Sequence, residues 1–507
     1  MLAPAVLLFA APFLVLSLCS ALLPTPDYDS LAYHLLAPKE WWERGKIEFL
    51  PHNVYAAFPF LAEMYHLAGM HLAGDWFLGG VTGQAYLWTF AVMGAVATGA
   101  LTANLFGLRA GWIAFFLYAT TPWTFRLAAI PYVEGATLYY LAAGLLAARL
   151  GQQAVGGAAF VAGAMAGCAA SCKYTNILMV VPPLAVLTIA ATGRERWLRG
   201  ALAFGLGAAL MFGPWLARNA VWTGNPVYPL AYSVFGGSNW SAEKAAKFAA
   251  GHRSTHFDWP SLQRYLIEIP LESDWQSGLV FAFVPLVLLA TGRKKVAAWL
   301  CLLVVYEFFC FWIGTHRLDR FWLPLLVPAI ALSAEGLANA RGWLGWIAAA
   351  LIAAPYVYNF AYATTGACAP NQYGIAIEGH RRIAEVANSG LQALANAKAR
   401  GEGVLYVGYS GVYYANHPAF YSTVFDDNLL EHWGSSPANL KAELAKRNIG
   451  WVAVDATWIE RYRSPGSYGF TPFVTPEKFA EFEKAGVLQR EFAEGPYTLY
   501  RVRKDAR

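Results

Sequence analysis

The sequence predicts a polytopic α-helical membrane protein of about eleven transmembrane helices followed by a C-terminal extracytoplasmic α/β domain. Three observations predict it. Of 507 residues, 57% are hydrophobic and 14% charged, where soluble domains carry about 25% charged residues. The apolar residues come in repeated stretches of roughly membrane-spanning length. After about residue 363 the pattern changes to short β-type runs bounded by glycine. The net charge of +5 is modest and the basic residues cluster in short loops, so no nucleic-acid partner is expected.

In chain order the spans are expected at about 2–23, 81–103, 110–122, 133–149, 155–172, 176–191, 197–217, 277–292, 296–314, 320–338 and 343–362. The first has no basic n-region and no A-x-A cleavage site, so it reads as an uncleaved helix, and the missing basic residue leaves a start further upstream open. The third is short, and Thr121-Pro122-Trp123 reads as its broken or re-entrant end. The segment 24–80, with Trp41, Trp42, Phe49, Phe58, Phe60 and Trp76, reads as amphipathic helices lying on the outer leaflet. Gly163-Ala164-Met165-Ala166-Gly167 has the small-residue pattern of close helix packing.

Lys and Arg in short loops orient the chain. Arg109, Arg149, Arg194, Arg196, Arg199, Arg293, Lys294, Lys295 and Arg341 fall in alternate loops and mark the cytoplasmic side. The loops 24–80 and 218–276 and the whole C-terminal part then lie outside. The membrane domain is expected at 1–362 and the outer domain at 363–507. In the latter, Val404–Val407, Trp451–Val454 and Thr498–Val502 read as strands and Pro437–Arg447 as a helix, giving a partly parallel sheet. No G-x-G-x-x-G follows its first strand, which argues against a nucleotide site there.

The chemistry-bearing residues lie on the outer side. Asp27-Tyr28-Asp29-Ser30-Leu31-Ala32-Tyr33-His34 places two carboxylates just past the first span, with an aromatic and a histidine one turn further on. Either aspartate also suits a helix N-cap of Leu31–Trp42, Asp27 more naturally by position. Glu134 opens the fourth span, where an acid is favourable on dipole grounds alone. Lys173 and the His316-Arg317-Leu318-Asp319-Arg320 group stand on the side that disfavours basic residues, and phosphate is the anion such residues pair with strongly. Arg126 reads as an interface anchor. Arg218 and Asn219 close the seventh span, where they serve either a phosphate or the helix C-terminus. Glu307 lies inside the ninth span, where ionisable groups are costly, and Arg320 is its expected partner. The six cysteines form no disulfide framework, and Cys168 and Cys172 read as apolar packing. Asn239-Trp240-Ser241 matches a glycosylation sequon, a weak signal.

Asp27–His34, Pro131-Tyr132-Val133-Glu134-Gly135, Cys172-Lys173-Tyr174-Thr175, Thr223-Gly224-Asn225-Pro226-Val227-Tyr228-Pro229 and His316–Phe321 occur in this order and on one side of the membrane. Together with the span count and the outer domain, they resemble the GT-C glycosyltransferases, and within them the bacterial family 39-like protein mannosyltransferase and aminoarabinose transferase relatives. The resemblance implies a GT-C-like catalytic membrane domain in the inner (cytoplasmic) membrane. It implies transfer of a hexosyl or pentosyl group from a polyprenyl-phosphate sugar donor to a glycan, lipid or protein acceptor at the outer face. It also implies Asp29 as the catalytic residue, with Asp27 second and Glu134 a further catalytic candidate. Lys173, Arg218, Arg317 and Arg320 then hold the donor phosphate. Tyr33, His34 and Glu307 support the site; no cofactor is certain, and a divalent metal at Asp29 and His34 is possible. The strict Asp-Glu pair of the eukaryotic protein mannosyltransferases is absent, which weakens a Ser or Thr acceptor. The alternative is a transporter or flippase of lipid-linked sugars, against which stand the loop-borne acidic pair and the lack of an internal repeat.

Overall fold

The computed structural model describes residues 2–151, 155–254, 256–272, 280–281, 283–289, 293–374, 379 and 390–503. These fall into two compact units. One comprises Met1–Leu23, Pro59–Arg218 and His252–Tyr373; the other comprises Pro24–Phe58, Asn219–Gly251 and Gly374–Arg507.

The first unit is helical. Among the described residues five helices are long and apolar enough to cross a membrane: Leu2–Ala21, Trp76–Phe106, Trp197–Thr223, Lys294–Gly314 and Trp343–Ala363. Shorter apolar helices are Leu108–Ala119, Gly156–Cys172, Asn176–Thr192 and Leu323–Asn339. The expected span 277–292 lies partly outside the described residues; its 284–289 portion is a 3₁₀ turn. Trp76–Phe106 starts five residues before the expected span, because the Asp75 carboxylate caps it by accepting from Leu78 N at 2.8 Å. At about 1.5 Å per residue it is longer than a hydrocarbon core needs. The third span ends where the sequence predicts a break. Leu108–Ala119 stops at Thr120, and Pro122 opens a separate helix to Ala129, where its missing N–H costs nothing. The glycine stripe packs as expected, since any side chain at Gly163 or Gly167 would collide with the backbone of Phe204 or Ala208.

Along part of its length the segment 24–80 is more buried than helices lying on an outer leaflet would be. Its helices are short, Leu36–Arg44 and Met64–Ala73, and Trp41 and Phe60 are buried to 1% exposure. These two pack into protein, while Trp42, Phe49, Phe58 and Trp76 are half-buried.

In the second unit a five-stranded sheet has the order β2-β1-β3-β5-β4. The strands are β1 (Gly403–Val407), β2 (Ala419–Phe420), β3 (Ile449–Asp455), β4 (Leu488–Glu494) and β5 (Tyr497–Val502). β1 runs parallel to β2 and β3, and β5 runs antiparallel to β3 and β4. β1 and β3 are buried along their whole length, which is why they read as continuous apolar runs. Ser436 caps the helix Pro437–Lys446, whose Leu440 and Leu444 join Leu405, Val452 and Phe482 in the core. A polar clasp ties 40–54 to 421–426. Glu40 accepts from Tyr421 Oη at 2.5 Å and His52 Nε2 at 3.1 Å, while Asp426 Oδ2 accepts from Val54 N at 3.0 Å and Thr423 Oγ1 at 2.5 Å.

Candidate functional site

Three of the sequence-predicted residues meet in the first unit. Glu134 heads the helix Glu134–Leu150 and is 5% exposed. Lys173 directly follows the helix Val155–Cys172, and its Nζ lies 2.6 Å from Glu134 Oε1. Arg320, from the turn before Leu323, brings Nε to 3.3 Å of the same oxygen. Both cations also rest on rings, Lys173 at 3.8 Å from the Phe321 centroid and Arg320 at 4.5 Å from that of Tyr132. Asn176 fixes the frame by donating to Thr137 Oγ1 at 2.9 Å and to Ala169 O at 2.7 Å. A cavity of about 10 Å³ is lined by Glu134, Thr137, Lys173, Asn176, Arg320 and Phe321 among others. Two cations on one carboxylate leave a net positive charge beside it, the local requirement for holding an anion.

One neighbour, Glu63, escapes the sequence reading, and another, His316, enters it only as part of its basic group. Glu63 is 2% exposed. Burial pushes its carboxyl well above the usual range, with Glu134 adding to the rise and Lys173 and Arg218 opposing it. The signal was an acid inside an apolar run, Phe60-Leu61-Ala62-Glu63-Met64. Burial likewise pushes the His316 imidazole down to about 3, with His252, Lys173 and Arg320 acting in the same direction. That ring is therefore neutral at physiological pH.

Of the other basic residues, Arg317 is held elsewhere, while Arg218 acts on the buried Glu63 beside the cluster. Arg317 donates to Ser261 Oγ and His256 O, each at 2.6 Å, and to Trp312 O at 2.9 Å. Its guanidinium lies 5.0 Å from the ring centroids of Phe257 and Trp312. These bonds tie it to the 256–261 segment. Arg218 does not close its helix, which runs on to Thr223; its guanidinium lies over Trp215 at 4.8 Å. Asn219, in the second unit, donates to Ala57 O at 2.8 Å. The expected Glu307–Arg320 pair is corrected, because Arg320 is spent on Glu134. Among the described residues both carboxyl oxygens of Glu307 are buried with no hydrogen-bond partner.

In the second unit the acidic motif begins a helical turn at Tyr28 and passes into a π-turn, Ser30–His34, closed by Leu35 N donating to Ser30 O at 2.9 Å. Such wide turns recur at functional sites. For Asp29 the capping alternative does not appear, since it makes no side-chain cap. Asp27 Oδ2 accepts from Thr25 Oγ1 at 3.0 Å. Asp29 is half-buried, and its charge reaches the phenols of Tyr28 and Tyr55. Tyr33 stacks on Tyr55 at 5.0 Å, and the buried His34 ring lies 4.1 Å from that of Tyr33. Among the described residues no three His, Cys, Asp or Glu side chains come together as a metal site. Asp29 and His34 alone offer a divalent ion fewer protein ligands than such ions take.

No sequence-family profile and no curated protein matches the chain. Its fold does match solved structures. ArnT from Cupriavidus metallidurans in the apo state superposes with a TM-score of 0.63 over 98% of both chains at 15% identity. The same protein bound to undecaprenyl phosphate gives 0.62 over 98% of both chains at 14% identity. The mycobacterial arabinofuranosyltransferase AftD gives 0.53 at 15% identity, over 99% of this chain and 42% of that one.

Proposed function

We propose that this chain, which has the fold of the GT-C glycosyltransferases, is an integral-membrane enzyme that moves a sugar from a polyprenyl-phosphate donor to an acceptor hydroxyl at the outer face of a bacterial cytoplasmic membrane. The observation that carries the reading is the pairing of Lys173 and Arg320 on one buried carboxylate. They come from distant parts of the sequence to one point, beside a cavity, in a fold whose relative ArnT was solved with undecaprenyl phosphate. In the proposed step the acceptor oxygen bonds to the sugar's anomeric carbon and the bond from that carbon to the phosphate oxygen breaks. Asp29 takes the acceptor's proton, and the polyprenyl phosphate leaves with the bonding pair. Lys173 and Arg320 balance the charge that grows on the leaving oxygen. A flippase of lipid-linked sugars would use the same phosphate contacts and would need no base.

The deciding experiment follows a radiolabelled sugar from polyprenyl phosphate to acceptor with purified protein and its Asp29→Asn variant. The expected outcome is a loss of about 10²–10⁴-fold in transfer, the usual range for a general base, with folded yield unchanged. Transfer by the variant at the parent rate moves the base to Asp27 or Glu134. Absence of transfer by both, with label crossing the bilayer, supports the flippase.

A further inference from the structure

We infer that the loop 409–415, at the end of β1, positions Asp29 by gripping the segment Thr25–Lys39 on both sides of it, with Tyr28 as the principal positioning residue. The inference rests on the reading of Asp29 as the base, and it gives the C-terminal segment a task that its sequence does not disclose.

The segment that carries Asp29 has little rigidity of its own. It consists of extended chain at 24–27, a single helical turn and the π-turn, too short to hold a carboxylate by local hydrogen bonding alone. Its support comes from the loop, at four points. Tyr414 Oη donates to Thr25 O at 2.9 Å. Tyr28 Oη shares a hydrogen bond with Ser410 Oγ at 2.8 Å. Tyr413 N donates to Leu31 O at 3.3 Å. The buried Lys39 ammonium donates to Tyr413 O at 2.8 Å and Ala415 O at 2.6 Å. Tyr28 is held further by Tyr462 Oη at 2.9 Å and by stacking on Trp458 at 4.0 Å between centroids and 20° between planes. Asp29 follows Tyr28 in the same turn and is itself half-buried.

The grip has a rigid root. The loop leaves the C-terminal end of β1 through Gly408, at φ +85, where a side chain would press on Asp455 O and Ile459. Trp458 and Tyr462 belong to the helix Ala456–Arg463, which Asp455 caps at the C-terminal end of β3. Both contacts on Tyr28 therefore start from the same edge of two neighbouring parallel strands, the edge where α/β sheets commonly place functional loops. A base must be held to about 0.5 Å to work, and this arrangement holds the residue before it by ring and hydroxyl together.

The test uses full-length protein and four forms: parent, Tyr28→Phe, Asp29→Asn and the double variant. Tyr28→Phe keeps the ring and removes the hydroxyl. It should lower kcat by about 10- to 100-fold, the scale of a small misplacement, with donor KM within about twofold of the parent. Because Tyr28 acts through Asp29, the same change in the Asp29→Asn background should have no further effect on the residual rate. Equal losses in both backgrounds would mean general destabilisation and overturn the proposal, as would an unchanged kcat in Tyr28→Phe. If Tyr28→Phe fails to fold, Tyr414→Phe, which removes the hydroxyl that donates to Thr25 O, is judged by the same pattern. An Asp29→Asn variant with parent activity instead sinks the assignment of the base, an outcome readable from that variant alone.

Discussion

The guanidinium of Arg320 illustrates what a residue's neighbours decide and its sequence does not. Arg320 and Lys173 were legible as cations on a side that disfavours them, and the fold brings them to Glu134. Arg317, three positions away, carries the same signal and is bound into the Ser261 and His256 contacts. Basic residues in one short loop look alike in sequence, and only the surrounding chain separates a ligand-facing one from a structural one. Replacing Lys173 or Arg320 with alanine should therefore weaken donor binding by about 10- to 100-fold, as expected for hydrogen bonds to a charged group. Lysine at position 320 should restore it only in part, lacking the planar fork. Arg317→Ala should cost folded protein and spare donor affinity in what survives. Binding isotherms with polyprenyl phosphate, read beside the yield of monodisperse protein, check all three. Glu307 shows the limit from the other side, because a carboxyl in an apolar helix announces itself without naming a partner.

Among the elements, helices and central strands were readable and irregular pieces were not. β1 and β3 appear in sequence because burial on both faces makes them apolar throughout. β2 has only two residues, and β4 is exposed along most of its length without alternation, so neither stands out from loop. The clasp at 40–54 and 421–426 was equally hidden, since its members lie far apart in sequence. It makes a pH prediction. Burial disfavours the charged form of His52, but the Glu40 carboxylate beside it wins and raises its pKa above the ordinary 6.5. A raised pKa in the folded state stabilises below the unfolded value and is lost as pH rises through the folded one. Burial pushes Asp426 up to about 6 from its ordinary 3.8, against Thr423, Val54 N, His52 and Lys244. Folding thus favours its protonated form, and stability falls as pH climbs through that interval. Glu40, lowered by His52, Tyr421 and Arg44 against its burial, works the other way only below about pH 4.5. The clasp's own contribution should therefore decline from pH 5 to pH 8, so the unfolding temperature of a His52→Gln, Asp426→Asn variant should gain on that of the parent over that range. Parallel slopes for parent and variant would remove the clasp from the account.

For the whole molecule, the proposed topology puts the C-terminal segment outside the cell, and the placement of Lys and Arg in alternate loops is its basis. Ala438 is exposed on the helix Pro437–Lys446. A cysteine there, in a Cys19→Ser background, should react with a membrane-impermeant maleimide in cells whose outer envelope alone has been permeabilised. Reaction only after full lysis would reverse the orientation. The compact units cut across the linear order, since 24–58 and 219–251 group with the C-terminal segment. A reading that moves along the chain divides it where composition changes, at about 363. Contacts such as Lys39 with Tyr413 and Ala415 link segments whose compositions share nothing, so composition does not reveal them.

The two cations that share Glu134 also bear on how the cycle ends. A sugar joined to polyprenyl phosphate is a diester with a single negative charge, whereas the spent carrier is a monoester approaching two. A bare pair of cations would grasp the spent carrier harder than the fresh one and stall after one turnover. In the proposed cycle the resident carboxylate brings the three side chains to a net single positive charge, which lessens the excess attraction for the outgoing dianion. Glu134→Gln should then shift the enzyme toward product inhibition. Added polyprenyl phosphate should inhibit at concentrations about tenfold lower, a change of about 1.4 kcal/mol, while a first-turnover burst survives and the steady rate drops. A uniform fall in burst and steady rate would instead give Glu134 a part in the bond-making step itself.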